Sequence, residues 1–107
     1  MAEQQTDMTG QEEVQGQQGA ENVVYIGKKP SMNYVLAVVT QFNNGAKAVT
    51  IKARGNAIRT AVDVAEIALS RFINYAKKGS ITTGSEEITN EDGTKSKVST
   101  IQIPLSR

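Results

Sequence analysis

Two hydrophobic periods alternate along this chain, after an opening stretch that has neither. Val23-Val24-Tyr25-Ile26 is a short β-branched and aromatic run closed by Gly27, which predicts a strand. Lys28-Lys29-Pro30 follows, and a proline suits the first turn of a helix, where its missing N–H is not needed. Met32, Val35, Leu36, Val39 and Phe42 then recur at three- and four-residue spacing, one apolar helix face, and Asn43-Asn44-Gly45 supplies residues that tolerate a left-handed C-cap. Val49, Ile51 and Ala53 alternate with Thr50, Lys52 and Arg54, the pattern of a half-buried strand. Gly55-Asn56 reads as a turn in which the Asn56 side chain accepts from the first free helix N–H groups.

A second helix is expected over about 57–75, with Ile58, Ala61, Val62, Ala65, Leu69 and Phe72 facing inward. Val64, Ile67 and Ala68 widen its apolar arc, and an arc that wide is a first hint of a dimer. Lys77-Lys78-Gly79 ends the helix with charge that suits its C-terminal dipole. A weak strand over about 80–89, an Asp92-Gly93 hairpin signal and a last strand over about 95–105 complete the pattern. Pro104 must lie where no ladder N–H is needed. The order is β-α-β-α-β-β: an α/β fold of two layers, with a four-stranded mixed sheet and two helices on one face. Right-handed crossovers give the first three strands one sense, and the final hairpin adds an antiparallel one.

Charge changes this picture. The whole chain of 107 residues is formally +1, from 12 Lys/Arg against 11 Asp/Glu. Residues 1–21 hold Glu3, Asp7, Glu12, Glu13 and Glu21, no basic residue, six Gln, and only Met1, Ala2, Met8, Val14 and Ala20 as apolar positions. Such a segment cannot bury enough surface to offset an ordering entropy of roughly 1–2 kcal/mol per residue. It reads as a disordered acidic tail of charge −5, and residues 22–107 read as one folded domain of charge +6 that holds all 12 basic side chains. A small basic domain suggests an anionic partner: nucleic acid, anionic lipid or an acidic protein.

What is missing narrows the chemistry. Cysteine and histidine are both absent, which excludes disulfides, thiol nucleophiles, Cys-ligated zinc and the commonest general base. Neither a P-loop nor a GxGxxG pattern occurs, and no apolar stretch is long enough to cross a membrane. Asp63 and Glu66 lie three apart on one helix face and offer a metal or acid/base site, set against the ordinary reading of solvated residues beside Arg59. Glu86 and Glu87 fall on opposite faces of a strand and cannot act as a carboxylate pair. The expectation is a non-enzyme without a cofactor or metal.

The basic residues are better placed. Lys28 and Lys29 follow the first strand, and Lys52 and Arg54 lie at the exposed parity of the second. Parallel strands bring those two ends together, which predicts a cluster of Lys28, Lys29 and Arg54 with Lys52 one pleat back. Lys95 and Lys97 decorate a hairpin able to reach outward as an arm, and a two-stranded arm fits a DNA groove. The plainer readings are a solvated turn for the first pair and edge-strand protection for the second.

Val24-Tyr25-Ile26-Gly27-Lys28-Lys29-Pro30, Met32-Asn33-Tyr34-Val35-Leu36, Ile51-Lys52-Ala53-Arg54-Gly55, Ala61-Val62-Asp63 and Val98-Ser99-Thr100-Ile101 together resemble the Alba family of archaeal chromatin proteins. The resemblance covers about residues 22–105. It implies a fold like the C-terminal domain of bacterial translation initiation factor three, and a homodimer that binds double-stranded DNA, and often RNA, with little sequence preference. It places the family's paired lysines on Lys28 and Lys29, one of which is acetylated in some members, its motif arginine on Arg54, and its arm cation on Lys97. The family's Arg-Phe pair, used between neighbouring dimers on DNA, falls on Arg71 and Phe72. Departures are Asn56, where many members carry Arg or Lys, Ile73-Asn74 in place of Leu-Pro, a more polar third strand, and the acidic tail.

The leading expectation is thus a cytoplasmic, nucleoid-associated architectural protein that binds DNA as a homodimer, with dimer–dimer contact or a paralogue as further partners and no membrane. Its nucleic-acid contacts are Lys28, Lys29, Lys52, Arg54, Asn56, Lys95 and Lys97. The alternatives are an RNA-binding role, as a chaperone or an RNase P-associated subunit, and a catalyst using Asp63 and Glu66 with a divalent ion. The tail admits a further reading, in which its −5 screens the +6 domain and competes with nucleic acid, set against the plainer one of an inert solvated leader.

Overall fold

The computed structural model describes residues 22–107; the acidic segment read as a tail and screen, residues 1–21, lies outside the described residues. Strand β1 (Asn22–Tyr25) leads to helix α1 (Ser31–Asn43), strand β2 (Ala48–Arg54), helix α2 (Ala57–Ile67), a π-helical turn (Ala68–Phe72), a two-residue strand β3 (Lys77–Lys78), and a long hairpin of β4 (Thr82–Thr89) and β5 (Lys95–Ser106). The expected order holds. The weak strand expected over 80–89 is β4; Lys77–Lys78, expected to end the second helix, instead pair with β5 as the short strand β3, so the described sheet has five strands rather than four.

β1 and β2 run parallel in the register Tyr25↔Lys52. β5 lies between β2 and β4, antiparallel to both, which gives β1, β2 and β4 one common sense. Pro104 opposes Thr50, and its carbonyl accepts from the Gly79 N–H at 2.7 Å, on the side away from β2. Within one antiparallel residue the N and the C=O point the same way. The proline nitrogen therefore faces the gap between β3 and β4, where no ladder bond is lost.

Both helices cover one face of the sheet. Val24, Val49, Ile51, Ala53, Ile103 and Leu105 meet Val35, Val38, Phe42, Ala61, Val64, Ala65 and Ala68 in one core with no buried polar residue. Two helix phases differ from expectation. In α1, Val38 is buried, while Leu36 is 55% exposed and Met32 is also exposed. The run Val35-Leu36-Ala37-Val38-Val39 is apolar throughout, so packing rather than period chooses the buried stripe. In α2, Val64 and Ala68 are buried and Val62 is exposed.

The α-helix also ends earlier than expected. The Ile73 N–H donates to the Ala68 carbonyl at 2.8 Å, an i→i+5 closure. That wider turn hands the inward position from Phe72, 44% exposed, to Ile73, 1% exposed. α1 ends as predicted: Gly45, at φ 103°, donates to the Phe42 carbonyl and Ala46 to that of Gln41, a Schellman pair. Beyond it the Arg107 Nη2 donates to the same Phe42 carbonyl at 2.8 Å, with its guanidinium 5.1 Å from the Tyr75 ring centre. The last residue of β5's tail thereby ties α1 to the segment after α2.

Candidate nucleic-acid interface

The C-terminal ends of β1 and β2 emerge side by side, because the parallel register continues through an Ile26 N–H donating to the Lys52 carbonyl at 2.9 Å. Lys28 and Lys29 follow the first end, Arg54 closes the second, and all three are exposed; Lys52 stands one pleat back and is half-buried. The expected cluster is therefore present.

What orders it was not visible in the pattern. The Tyr34 hydroxyl oxygen accepts from the Gly27 N–H at 2.9 Å and the Lys29 N–H at 3.0 Å. One side chain of α1 thus fixes the backbone on both sides of Lys28. Gly27 eases that approach: a β-carbon there would lie 3.2 Å from the hydroxyl, which would have to shift by a few tenths of an ångström. Along the chain Tyr34 stands out only as a member of the Met32–Leu36 block. No periodic signal shows that its hydroxyl turns back to the preceding loop.

Asn56 is exposed at the start of α2 but does not cap it through its side chain; its backbone is already helical, and the first turn closes instead through the Ile58 N–H on the Gly55 carbonyl. A cap side chain reaches its target from a non-helical backbone, so the expected role is geometrically closed to Asn56.

The hairpin extends past the body. β2 pairs with β5 only as far as Arg54↔Thr100, after which β4 and β5 continue alone through Thr89↔Lys95. Lys95 and Lys97 are exposed on this two-stranded arm. Strand parity places them on the helix side of the sheet, and Lys52 and Arg54 on the helix-free side. The predicted contacts therefore form two groups on opposite faces, not one patch.

Two carboxylates lie within these groups. Glu86 meets Arg54 at 3.3 Å and Glu87 meets Lys95 at 3.8 Å. The opposite parity of Glu86 and Glu87 thus appears as one ion pair on each face. All four side chains are more than half exposed, so each pair contributes roughly 0–1 kcal/mol. A guanidinium can exchange such a pair for a stronger bidentate contact to a phosphate, and an ammonium for a single charge-assisted one. At the tip, the Asp92 carboxylate accepts from the Thr94 N–H at 3.0 Å and hydroxyl at 2.6 Å. Those two bonds hold its pKa below the ordinary 3.8.

On α2 the two carboxylates have different surroundings. Glu66 bonds Lys78, Asp63 is exposed, and no group of three or more carboxylates gathers among the described residues. Arg71 and Phe72 project together from the π-helical turn, both exposed.

A sequence model of the Alba family matches residues 22–85, well over half of the chain. The chain belongs to the Alba family. A protein of Methanoculleus marisnigri named "DNA/RNA-binding protein Alba" is 58% identical over 86 residues, covering 80% of this chain and 93% of that relative. The protein of the same name from Thermoplasma volcanium is 56% identical over 87 residues, 81% of this chain and 97% of the relative. Among solved structures, Alba from Thermoplasma volcanium superimposes with a TM-score of 0.77 at 56% identity, over 80% of this chain and all of that one. The ALBA1 protein of Trypanosoma brucei gives 0.62 at 25% identity, over 80% of this chain and 68% of the other. The α/β fold expected from the sequence is thus that of an Alba protein. No described helix is long and apolar enough to cross a membrane.

Proposed function

We propose that this Alba protein is a nucleoid-associated architectural protein that binds double-stranded DNA without reading its sequence, as a homodimer. The observation that carries the reading is the pole formed by Lys28, Lys29 and Arg54: exposed cations, held by the β1–β2 register and by Tyr34. Phosphate contacts position a protein and carry no sequence information. In this reading Lys28, Lys29, Lys52, Arg54 and Asn56 face the backbone while the arms, with Lys95 and Lys97, flank the minor groove. Exposed Val62, Leu36 and Phe72 support self-association, with Arg71 and Phe72 between dimers, or association with a paralogue. Acetylation of Lys28 or Lys29 would remove one cation from the pole. RNA is the second reading, favoured by the names of relatives given as DNA/RNA-binding.

The test is a salt series on matched duplex DNA and structured RNA. With about 6 phosphates neutralised, affinity falls about 1000-fold between about 50 and 200 mM salt. Replacing Lys28 and Lys29 together by Ala removes four cations from the homodimer, lowers the steepness of log affinity against log salt by about 4 and weakens all duplex sequences alike. An affinity indifferent to salt, or a loss confined to one sequence, contradicts the proposal.

A further inference from the structure

The helices cover one face of the sheet and leave the other open. On that open face Tyr25, the last residue of edge strand β1, is 71% exposed, the highest of the large apolar side chains left in solvent. The other two tyrosines have structural work: Tyr34 holds the Lys28–Lys29 loop, and Tyr75 packs edge-on to Phe42, ring centres 6.3 Å apart, under Arg107. The Tyr25 ring instead meets the ammonium of its cross-strand partner Lys52, 5.9 Å from the ring centre.

Arg54 follows Lys52 at the next position of the same face, and the lysine loop begins where both strands end. On this face of the described sheet the one carboxylate is Glu86, already engaged by Arg54. An exposed aromatic plane is therefore followed by a line of cations with a single, weakly held counter-charge. Stacking platforms with a cationic groove beside them bind single strands, since every base has a π-face and every nucleotide a phosphate. A duplex cannot use Tyr25 this way, because its base faces are already stacked on one another.

We propose that Tyr25 is a stacking site for an unpaired base of single-stranded nucleic acid, with Lys52 and Arg54 holding the flanking phosphates. The proposal rests on the nucleic-acid-binding reading above and adds to it a ligand class and a surface. Nothing on the ring distinguishes ribose from deoxyribose, so both strand types are arms of the test.

The full chain has no tryptophan, so Tyr25→Trp places a single indole reporter at the site. Its fluorescence is expected to be quenched by oligouridine and by oligodeoxythymidine, and not by blunt duplex DNA. Tyr25→Ala is expected to weaken both single strands about 5- to 150-fold, duplex binding far less, and Tyr25→Phe to restore the single-strand affinity. Equal losses on duplex and single strand, or no quenching by either oligonucleotide, overturn the stacking site while leaving the general reading intact. A change of oligomeric state in Tyr25→Ala with unchanged single-strand affinity overturns it in favour of a protein contact. Failure of the unaltered chain to bind any strand at low salt overturns both.

Discussion

The lysine pole and the hairpin arm carry similar cations but are built by different means. At the pole, position is imposed from the core: a parallel register, a Gly27 that admits a close approach, and a tyrosine hydroxyl rooted in α1. On the arm, beyond Thr100, neither face is covered and what holds it is exposed: ladder bonds, the Asp92–Thr94 turn, the Asn90 side-chain bonds to Thr94 and Ser96, the Glu87–Lys95 pair, and one ion pair from Glu86 back to Arg54 on the body. A surface held by packing presents its charges in one arrangement. A two-stranded ribbon held by exposed pairs costs little to bend. The pole thus suits the regular spacing of phosphates, and the arm suits a groove whose width changes along the duplex.

The sharpest way to break this contrast is at Tyr34. Tyr34→Phe keeps the ring and removes the acceptor of two N–H groups. Each bond contributes about 0.5–1.5 kcal/mol, and the freed amides are exposed and rehydrate, so the total loss of stability is expected near the low end, about 1 kcal/mol. Hydrogen exchange at Gly27 and Lys29 should quicken, and duplex affinity should fall about fivefold as the loop pays its ordering entropy on binding. Unchanged exchange at both amides would show that the loop is ordered without the hydroxyl.

A smaller and opposite effect is expected on the arm. Glu86→Gln removes the counter-charge of Arg54 and leaves a side chain of the same shape. Since the exposed pair contributes roughly 0–1 kcal/mol, thermal stability should hardly move, whereas duplex affinity should rise by up to about fivefold. The gain should shrink as salt rises, because screening already weakens the pair. A fall in affinity would mean that Glu86 holds Arg54 in its binding position rather than competing for it.

This contrast also explains what the sequence could and could not disclose. The pole was legible because it is a consequence of local order: two parallel strands, each followed by its own basic residue, must end side by side. The second helix was legible as an amphipathic stretch, but Phe72 was phased inward because a 3.6-residue period was carried through a turn that closes at five. The Glu86–Arg54 pair was out of reach for a different reason. It depends on β5 inserting between β2 and β4, a non-local pairing that no window of sequence contains. Tyr34 failed for want of direction: spacing gives the side of a helix, not the atom at which a hydroxyl points. The same separation of local from non-local placement left Lys95 and Lys97 on the face opposite Arg54, although parity along β5 alone already put them with Ile101 and Ile103.

The smallest effect belongs to the tip of the arm, where pH acts on the turn through the Asp92 carboxylate. Asp92 is held below the ordinary carboxylate value first by the Thr94 hydroxyl and then by the Thr94 N–H. A carboxylate whose folded pKa is depressed stabilises the fold fully above its unfolded value, and that contribution is lost as pH falls through the folded one. The turn should therefore stay closed at neutral pH and open only below about pH 4, near the unfolded Asp value. Amide shifts of Gly93 and Thr94 followed through an acid titration should move at a pH below that range, while Gly27 and Lys29 at the other pole stay still. Asp92→Asn should abolish the titration, leaving the turn as the neutral amide sets it at every pH. If the pole amides titrate together with those of the tip, the arm is coupled to the body, and the independence of the two regions fails.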